Sequence, residues 1–335
     1  MIRKLKYLRD KTKGDLGVLL KGLWYMIEVV DACPMRCPTC PTGVEIPRDG
    51  HKMDLQTFRR ILDLAQFRDK VQIRQIQLYR WSDALLHPRL HEFIWEAKRR
   101  GIGTTTSSVL QTTNCDFQKV FDAGPAEFRI SFSGWRNMEY YQKNAKPDRF
   151  WKKVDLLDKL KRNPETRYVM YFHQYKDNLD ETDEARKWAE HYGYDFITFP
   201  ATNMNYPSII NDNYTPLDKE VNSRLLETPE ENIARIKNRH LDYCRMQEKE
   251  VCLDTYGNMQ QCQLLYNREY VVGNYLVTPL KEMREKIMKH PICLKCKAKG
   301  VGDYSLIFGD PVRYVDPVPN AQKNRFARKQ PWDQA

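Results

Sequence analysis

The chain has 335 residues, 41% of them hydrophobic and 30% charged, with 55 Lys and Arg against 44 Asp and Glu and a formal net charge of +11. That length suits a domain of about 200 residues with a smaller companion, and the composition excludes a disordered chain. No apolar run reaches the roughly 18 residues of a membrane span, and no signal-peptide core with a cleavage site follows the basic N-terminus, so a cytoplasmic protein without a transmembrane segment is expected. The basic residues are spread along the chain and read as a solvated surface, which permits an anionic substrate and calls for no nucleic-acid partner.

Residues 1–22 are expected to form a basic helix, packed on the body of the protein or lying on a membrane surface. Residues 23–215 then alternate two kinds of text. β-Branched, apolar and aromatic runs predict strands at Trp24–Val30, Ile76–Tyr79, Gly103–Thr106, Phe128–Phe132, Tyr168–His173 and Phe196–Phe199. Amphipathic stretches between them predict helices at Leu55–Phe67, Leu90–Arg99, Phe117–Ala123, Arg149–Leu160 and Asp180–Tyr192. In the first helix Phe58, Ile61, Leu62 and Ala65 fall on one face. Strands joined through helices predict an α/β fold, a partial (β/α)6 TIM-like barrel of parallel strands with right-handed crossovers. Functional groups of such folds sit at the carboxyl ends of the strands.

Ala201–Tyr214, rich in Asn and Pro, reads as a loop, and a helix is expected from Pro216 to about Leu226 within a 216–243 linker. Residues 244–315 read as a small C-terminal α+β module, with short strands, a turn at Tyr256-Gly257-Asn258 and a helix near Leu280–Lys289. The polar, basic tail 316–335 is expected to be poorly ordered.

The nine cysteines fall in two groups. Cys33-Pro-Met-Arg-Cys37-Pro-Thr-Cys40 is a C-x3-C-x2-C loop that begins three residues after the first predicted strand. Three thiolates on one tight loop can hold three corners of a four-iron cluster and leave the fourth iron open, the mark of a catalytic rather than a closed site. On spacing alone, a zinc site completed by a remote ligand remains an alternative. The second group is Cys244, Cys262 and the pair Cys293-x2-Cys296. A hairpin turning near Gly257 would bring cysteines from either side of it together, and a short C-x2-C loop would add two more. Four thiolates close a cluster that serves electron transfer or structure; a structural zinc site is the alternative. Cys252, in the apolar run Val251-Cys252-Leu253, reads as a small core residue or as a replacement for Cys244. Cys115 reads as structural.

The C-x3-C-x2-C loop, placed after the first strand of a βα repeat, resembles the radical S-adenosylmethionine superfamily over about Trp24 to Phe199. Members of that family bind S-adenosylmethionine at the open iron of a 4Fe-4S cluster and cleave it to a 5′-deoxyadenosyl radical. The resemblance implies metal ligands at Cys33, Cys37 and Cys40, and an electron donor such as flavodoxin or ferredoxin. Trp81-Ser82-Asp83-Ala84 stands where the family carries Gly-Gly-Glu-Pro, so Asp83 is implied as acceptor for the cofactor's ammonium; its other reading is a helix cap. Ser107 and Ser108 stand where Thr-Asn-Gly is common, and Ser131 where Ser-x-Asp-Gly is common, which implies contacts to ribose or carboxylate. His173 could reach ribose or substrate, or be structural. Thr39 departs from the aromatic residue that often precedes the third cysteine.

The spacing Cys244-x12-Gly257-x4-Cys262 followed by Cys293-x2-Cys296, with no later cysteine, resembles the one-cluster twitch form of the auxiliary modules called twitch and SPASM. A second 4Fe-4S cluster is implied there. Two reactions follow from the resemblance: oxidation of a small polar molecule such as a sugar or cyclitol, with the second cluster as electron acceptor, or maturation of a peptide. Only 32 residues precede Cys33, fewer than the leader-binding domain of many peptide-modifying relatives. A non-catalytic iron–sulfur or zinc scaffold is the reading from another class. Arg80, Trp81, Trp135, Arg136, Tyr140 and Tyr141, near predicted strand ends, could bind a phosphorylated or glycosylated compound or pack.

Overall fold

The computed structural model describes residues 22–44, 48–136, 138–236 and 244–301. The basic N-terminal extension up to residue 21, the end of the 216–243 linker and the polar tail lie outside them.

Six parallel strands are joined through helices in chain order: β1 (Leu23–Ile27), α1 (Leu55–Asp63), β2 (Ile73–Gln77), α2 (Leu90–Arg99), β3 (Gly103–Ser108), α3 (Phe117–Ala123), β4 (Glu127–Phe132), α4 (Pro147–Asp158), β5 (Arg167–Gln174), α5 (Thr182–His191) and β6 (Asp195–Pro200). Each strand pairs with the next in parallel, as the alternation of patterns predicts. Local chemistry sets the helix starts. The Asp54 carboxylate accepts the Thr57 amide hydrogen at 2.7 Å, and the Asp116 carboxylate caps α3 through the Lys119 amide, each satisfying an orphan donor of the first turn. The predicted stripe on α1 is the buried one: Phe58, Ile61 and Leu62 face the sheet, and Ala65 follows in the π-helical turn Leu64–Arg68. Phe58 meets Phe93 of α2 edge-on at 5.1 Å.

After β6 come α6 (Tyr206–Asn211), α7 (Pro216–Arg224), α8 (Pro229–Ile236), α9 (Arg245–Lys249), β7 (Glu250–Leu253), β8 (Asn258–Gln260), β9 (Val271–Asn274), α10 (Leu280–Lys289) and α11 (Pro291–Lys299). Two differ from expectation. Ala201–Tyr214 contains the helix α6, started by Pro207 in its first turn, where a missing N–H costs nothing. Cys293 and Cys296 lie on the helix α11, between Pro291 and the left-handed Gly300, rather than on a loop.

Strand β7 pairs in parallel with β1, Met26 opposite Cys252, and β8 and β9 continue antiparallel. The described strands thus form one nine-stranded sheet in the order β6-β5-β4-β3-β2-β1-β7-β8-β9, and it is not closed. Side chains also tie the two parts together. The Tyr25 and Tyr275 hydroxyls meet at 2.9 Å, and Arg68 donates to the Tyr275 carbonyl at 2.8 Å.

On α2, Glu96 receives Arg59 at 2.9 Å, Arg99 at 2.7 Å and Arg100 at 3.0 Å. Burial raises its pKa, but the three guanidinium groups outweigh that and hold it at about 2. A carboxylate lowered in the folded state stabilises above its ordinary pKa of 4.5 and loses that contribution as pH falls toward 2. Glu96→Gln is therefore expected to lose about 1–3 kcal/mol at pH 7. In thermal melts the gap between wild type and variant should close between pH 4.5 and 2; a constant gap would remove the titration account.

Candidate active site

The carboxyl ends of the six parallel strands enclose a cavity of about 250 Å³. Cys33, Cys37 and Cys40 form one wall, and Asp83, Ser107, Ser108, Ser131 and His173 line the rest. All eight candidate residues of the barrel meet at one place, drawn from loops and strand ends up to 140 residues apart in sequence.

The cysteine loop is fixed by backbone contacts. The Arg36 amide donates to Lys143 at 2.9 Å, the Cys40 amide to Cys37 at 3.0 Å, and the Met204 amide to Thr39 at 3.1 Å. The Arg36 guanidinium turns back onto the Cys33 and Met35 carbonyls. Burial pushes the Cys33 thiol up to about 12, with Asp83 adding to the shift. Burial also raises Cys37, with the Cys40 and Cys33 charges adding. Metal binding would have to displace these protons. Among the described residues no three His, Cys, Asp or Glu side chains close on the point a single metal ion would take. Three thiols on one tight loop at the cavity wall are a donor set that fits three corners of a four-iron cluster.

Asp83 is the most heavily used polar group of the cavity. Its carboxylate accepts from Leu85 N at 3.0 Å, Ser108 Oγ at 2.8 Å and Val109 N at 3.2 Å. It caps the turn Ala84–Leu86 and clamps the end of β3. Burial pushes it up to about 6, against these hydrogen bonds. Three of its roughly four acceptor positions are taken, leaving one. Ser108 Oγ also accepts from Leu110 N at 3.0 Å, so this hydroxyl is committed to the loop. Ser107 and Ser131 face each other at 3.4 Å. His173 is held toward its neutral form by desolvation.

Sequence reasoning missed the residues that hold the 80–83 loop. Buried Glu28 accepts the Trp81 amide at 2.9 Å. Thr42 and Arg48, from the segment after the cysteines, donate to the Trp81 carbonyl at 2.6 and 3.3 Å. The Asp83 amide donates to Ala32, the residue before Cys33, at 3.0 Å. The readable signal was Glu28, a charge within the apolar run Ile27-Glu28-Val29-Val30. The support behind Tyr79, which lines the cavity, was missed too: Arg129 donates to the Tyr79 hydroxyl at 2.8 Å and lies over the Tyr171 ring at 4.7 Å. Of the six aromatic and basic candidates, Arg80, Trp81 and Tyr141 line the cavity. Trp135 stacks on Trp151 instead, Arg136 pairs with Asp180 and Glu181, and Tyr140 bonds Glu220.

The second cysteine group also converges. Burial raises the Cys262 thiol, which feels Cys244, Cys252 and Cys296. Burial pushes Cys293 up to about 11, and it in turn feels Cys244. Cys293 Sγ donates to Gln261 at 2.9 Å. Cys252 is buried on β7 with its sulfur 3.9 Å from Met26 Sδ. Cys115 packs at the edge of the core, its amide donating to Leu85 at 3.2 Å. No disulfide joins any of the nine cysteines.

No family model matches the chain. Over 112 residues it is 28% identical to a PqqA peptide cyclase of Bradyrhizobium diazoefficiens, a stretch that is 32% of this chain and 28% of that protein's length. Among solved structures, Streptococcus suis SuiB bound to S-adenosylmethionine superposes with a TM-score of 0.57 at 12% identity, over 88% of this chain and 71% of SuiB. The enzyme anSMEcpe with bound AdoMet and the Cp18Cys peptide superposes with a TM-score of 0.52 at 9% identity, over 82% of this chain and 81% of that one. Both were solved with S-adenosylmethionine bound. The chain has their fold. In this fold the cysteine loop, the 80–83 loop and the ends of β3, β4 and β5 ring one cavity. No described helix is long and apolar enough to cross a membrane.

Proposed function

We propose that the chain is a radical S-adenosylmethionine enzyme that oxidises a small polar substrate with the help of a second iron–sulfur cluster. One observation carries the reading: a single cavity gathers Cys33, Cys37 and Cys40 with Asp83, Ser107, Ser108, Ser131 and His173. When bound, a four-iron cluster and S-adenosylmethionine supply a carbon radical that removes a hydrogen atom, and a second cluster accepts the electron that the substrate then gives up. Cys33, Cys37 and Cys40 hold the first cluster. The free acceptor position of Asp83 receives the cofactor's ammonium, and Ser107 and Ser131 offer hydroxyls to its ribose or carboxylate. Cys244, Cys262, Cys293 and Cys296 hold the second cluster. Cys244 is preferred over Cys252 because it neighbours both Cys262 and Cys293.

Peptide maturation is the second reading. It is supported by the sequence match to a peptide cyclase and by a likeness to SuiB bound to its precursor peptide SuiA, at a TM-score of 0.56.

The test is anaerobic. Reconstituted protein with dithionite and S-adenosylmethionine is expected to release 5′-deoxyadenosine; an intact cluster with no cleavage would leave only the scaffold reading. With a turnover substrate in hand, Cys262→Ala is expected to keep cofactor cleavage and lose product. Unchanged product would remove the second cluster from turnover.

A further inference from the structure

Arg80, Trp81 and Ser82 are consecutive, and all three line the cavity. Each carries a buried side-chain donor without a partner: Arg80 Nε and Nη1, Trp81 Nε1 and Ser82 Oγ. Buried donors are rarely left unmade, and each costs about 1–3 kcal/mol when it is. Four such atoms on three adjacent residues form a local concentration of unspent positive polarity. No ion pair reaches Arg80 among the described residues; its guanidinium hydrogen-bonds the Cys252 sulfur, a weak acceptor, and leaves Nε and Nη1 unused.

The loop is also held in advance of any ligand. The Trp81 amide is fixed by Glu28, its carbonyl by Thr42 and Arg48, and the Asp83 amide by the Ala32 carbonyl. The Trp81 ring meets Tyr266 edge-on at 6.0 Å, and Cys252 lies beside Arg80. The loop thus stands on the side of the cavity that faces the second cysteine group.

The geometry points to an oxyanion subsite: Arg80, Trp81 and Ser82 bind a phosphate or carboxylate group of the substrate, between the two cysteine groups. This rests on the function proposed above and narrows its substrate to an anionic polar molecule. A guanidinium, an indole N–H and a hydroxyl all donate to such a group, and charge-assisted bonds to it are the strong ones.

The probe is inorganic phosphate, titrated calorimetrically into anaerobically reconstituted full-length protein, with S-adenosylmethionine titrated separately. Wild type is expected to bind phosphate saturably. Arg80→Ala should weaken it by tenfold or more, Ser82→Ala by a few-fold, and Arg80→Lys should recover part, since it keeps the charge and loses the planar fork. The exposed Arg99→Ala serves as a control and should bind as wild type does. Thermal midpoints identify any variant that fails to fold, and Ser82→Ala then carries the comparison. No saturable phosphate binding, or binding indifferent to Arg80 and Ser82, overturns the subsite. Competition between phosphate and S-adenosylmethionine, with Arg80→Ala weakening both by the same factor, would assign these donors to the cofactor's own carboxylate and overturn the substrate assignment. Arg80-dependent phosphate binding in a protein that neither binds nor cleaves S-adenosylmethionine would sink the enzymatic reading and keep the subsite.

Discussion

Cys37→Ala is expected to leave a folded protein that releases no 5′-deoxyadenosine and holds about half the iron of wild type, the remaining four-iron complement being that of the second cysteine group. The reasoning is stepwise. Cys37 is central in the loop and feels both Cys40 and Cys33. Removing it takes one of three thiolates from the first cluster, and cluster assembly there fails. The change to alanine is small, and the loop keeps its backbone contacts at Arg36, Thr39 and Cys40. The structural core should survive. Iron analysis and chromatography of the cleavage products measure both parts. Full iron content with undiminished cleavage would mean that the first cluster lies elsewhere.

Asp83→Ala is expected to damage both stability and cofactor binding. It strands Leu85 N, Val109 N and Ser108 Oγ in a site where Asp83 itself is 2% exposed. Three orphaned donors amount to about 3–5 kcal/mol, enough to shift the thermal midpoint by many degrees. Asp83→Asn separates the two roles. It keeps the shape and one acceptor oxygen, so part of the stability should return. It turns the other oxygen into a donor and removes the charge, so affinity for S-adenosylmethionine should stay about tenfold or more below wild type. Cofactor affinity that recovers together with the melting midpoint would make Asp83 a cap alone.

The barrel was legible because each of its elements is written locally. Phe128, Ile130 and Phe132 alternate with Glu127, Arg129 and Ser131 along β4, and the buried stripe of α1 follows helical spacing. The site's location was legible through a positional rule, strand ends, that needs no knowledge of contacts. Its internal wiring was not. Asp83 spends its carboxylate on Ser108 and Val109, some 25 residues downstream, and no spacing announces that. The C-x2-C pair lies on a helix rather than a loop, and its local signal is Pro291 and Gly300, which mark a helix start and stop. Helix α6 was hidden by Asn and Pro, although Pro207 is an ordinary first-turn residue. The pairing of β7 with β1 has no local signature.

That last pairing bears on how the protein is made. Strand β1 has one neighbour, β2, within about 50 residues, but its other edge is covered only by β7; Met26 and Cys252 are 226 positions apart. During synthesis the six-stranded half can assemble while the outer edge of β1 stays open, and such an edge can pair with another chain until it is covered. Contacts of that sequence separation form late and slowly. The C-terminal module therefore closes the fold as well as carrying cysteines, and truncation before residue 250 would leave a barrel with a permanently unpaired first strand.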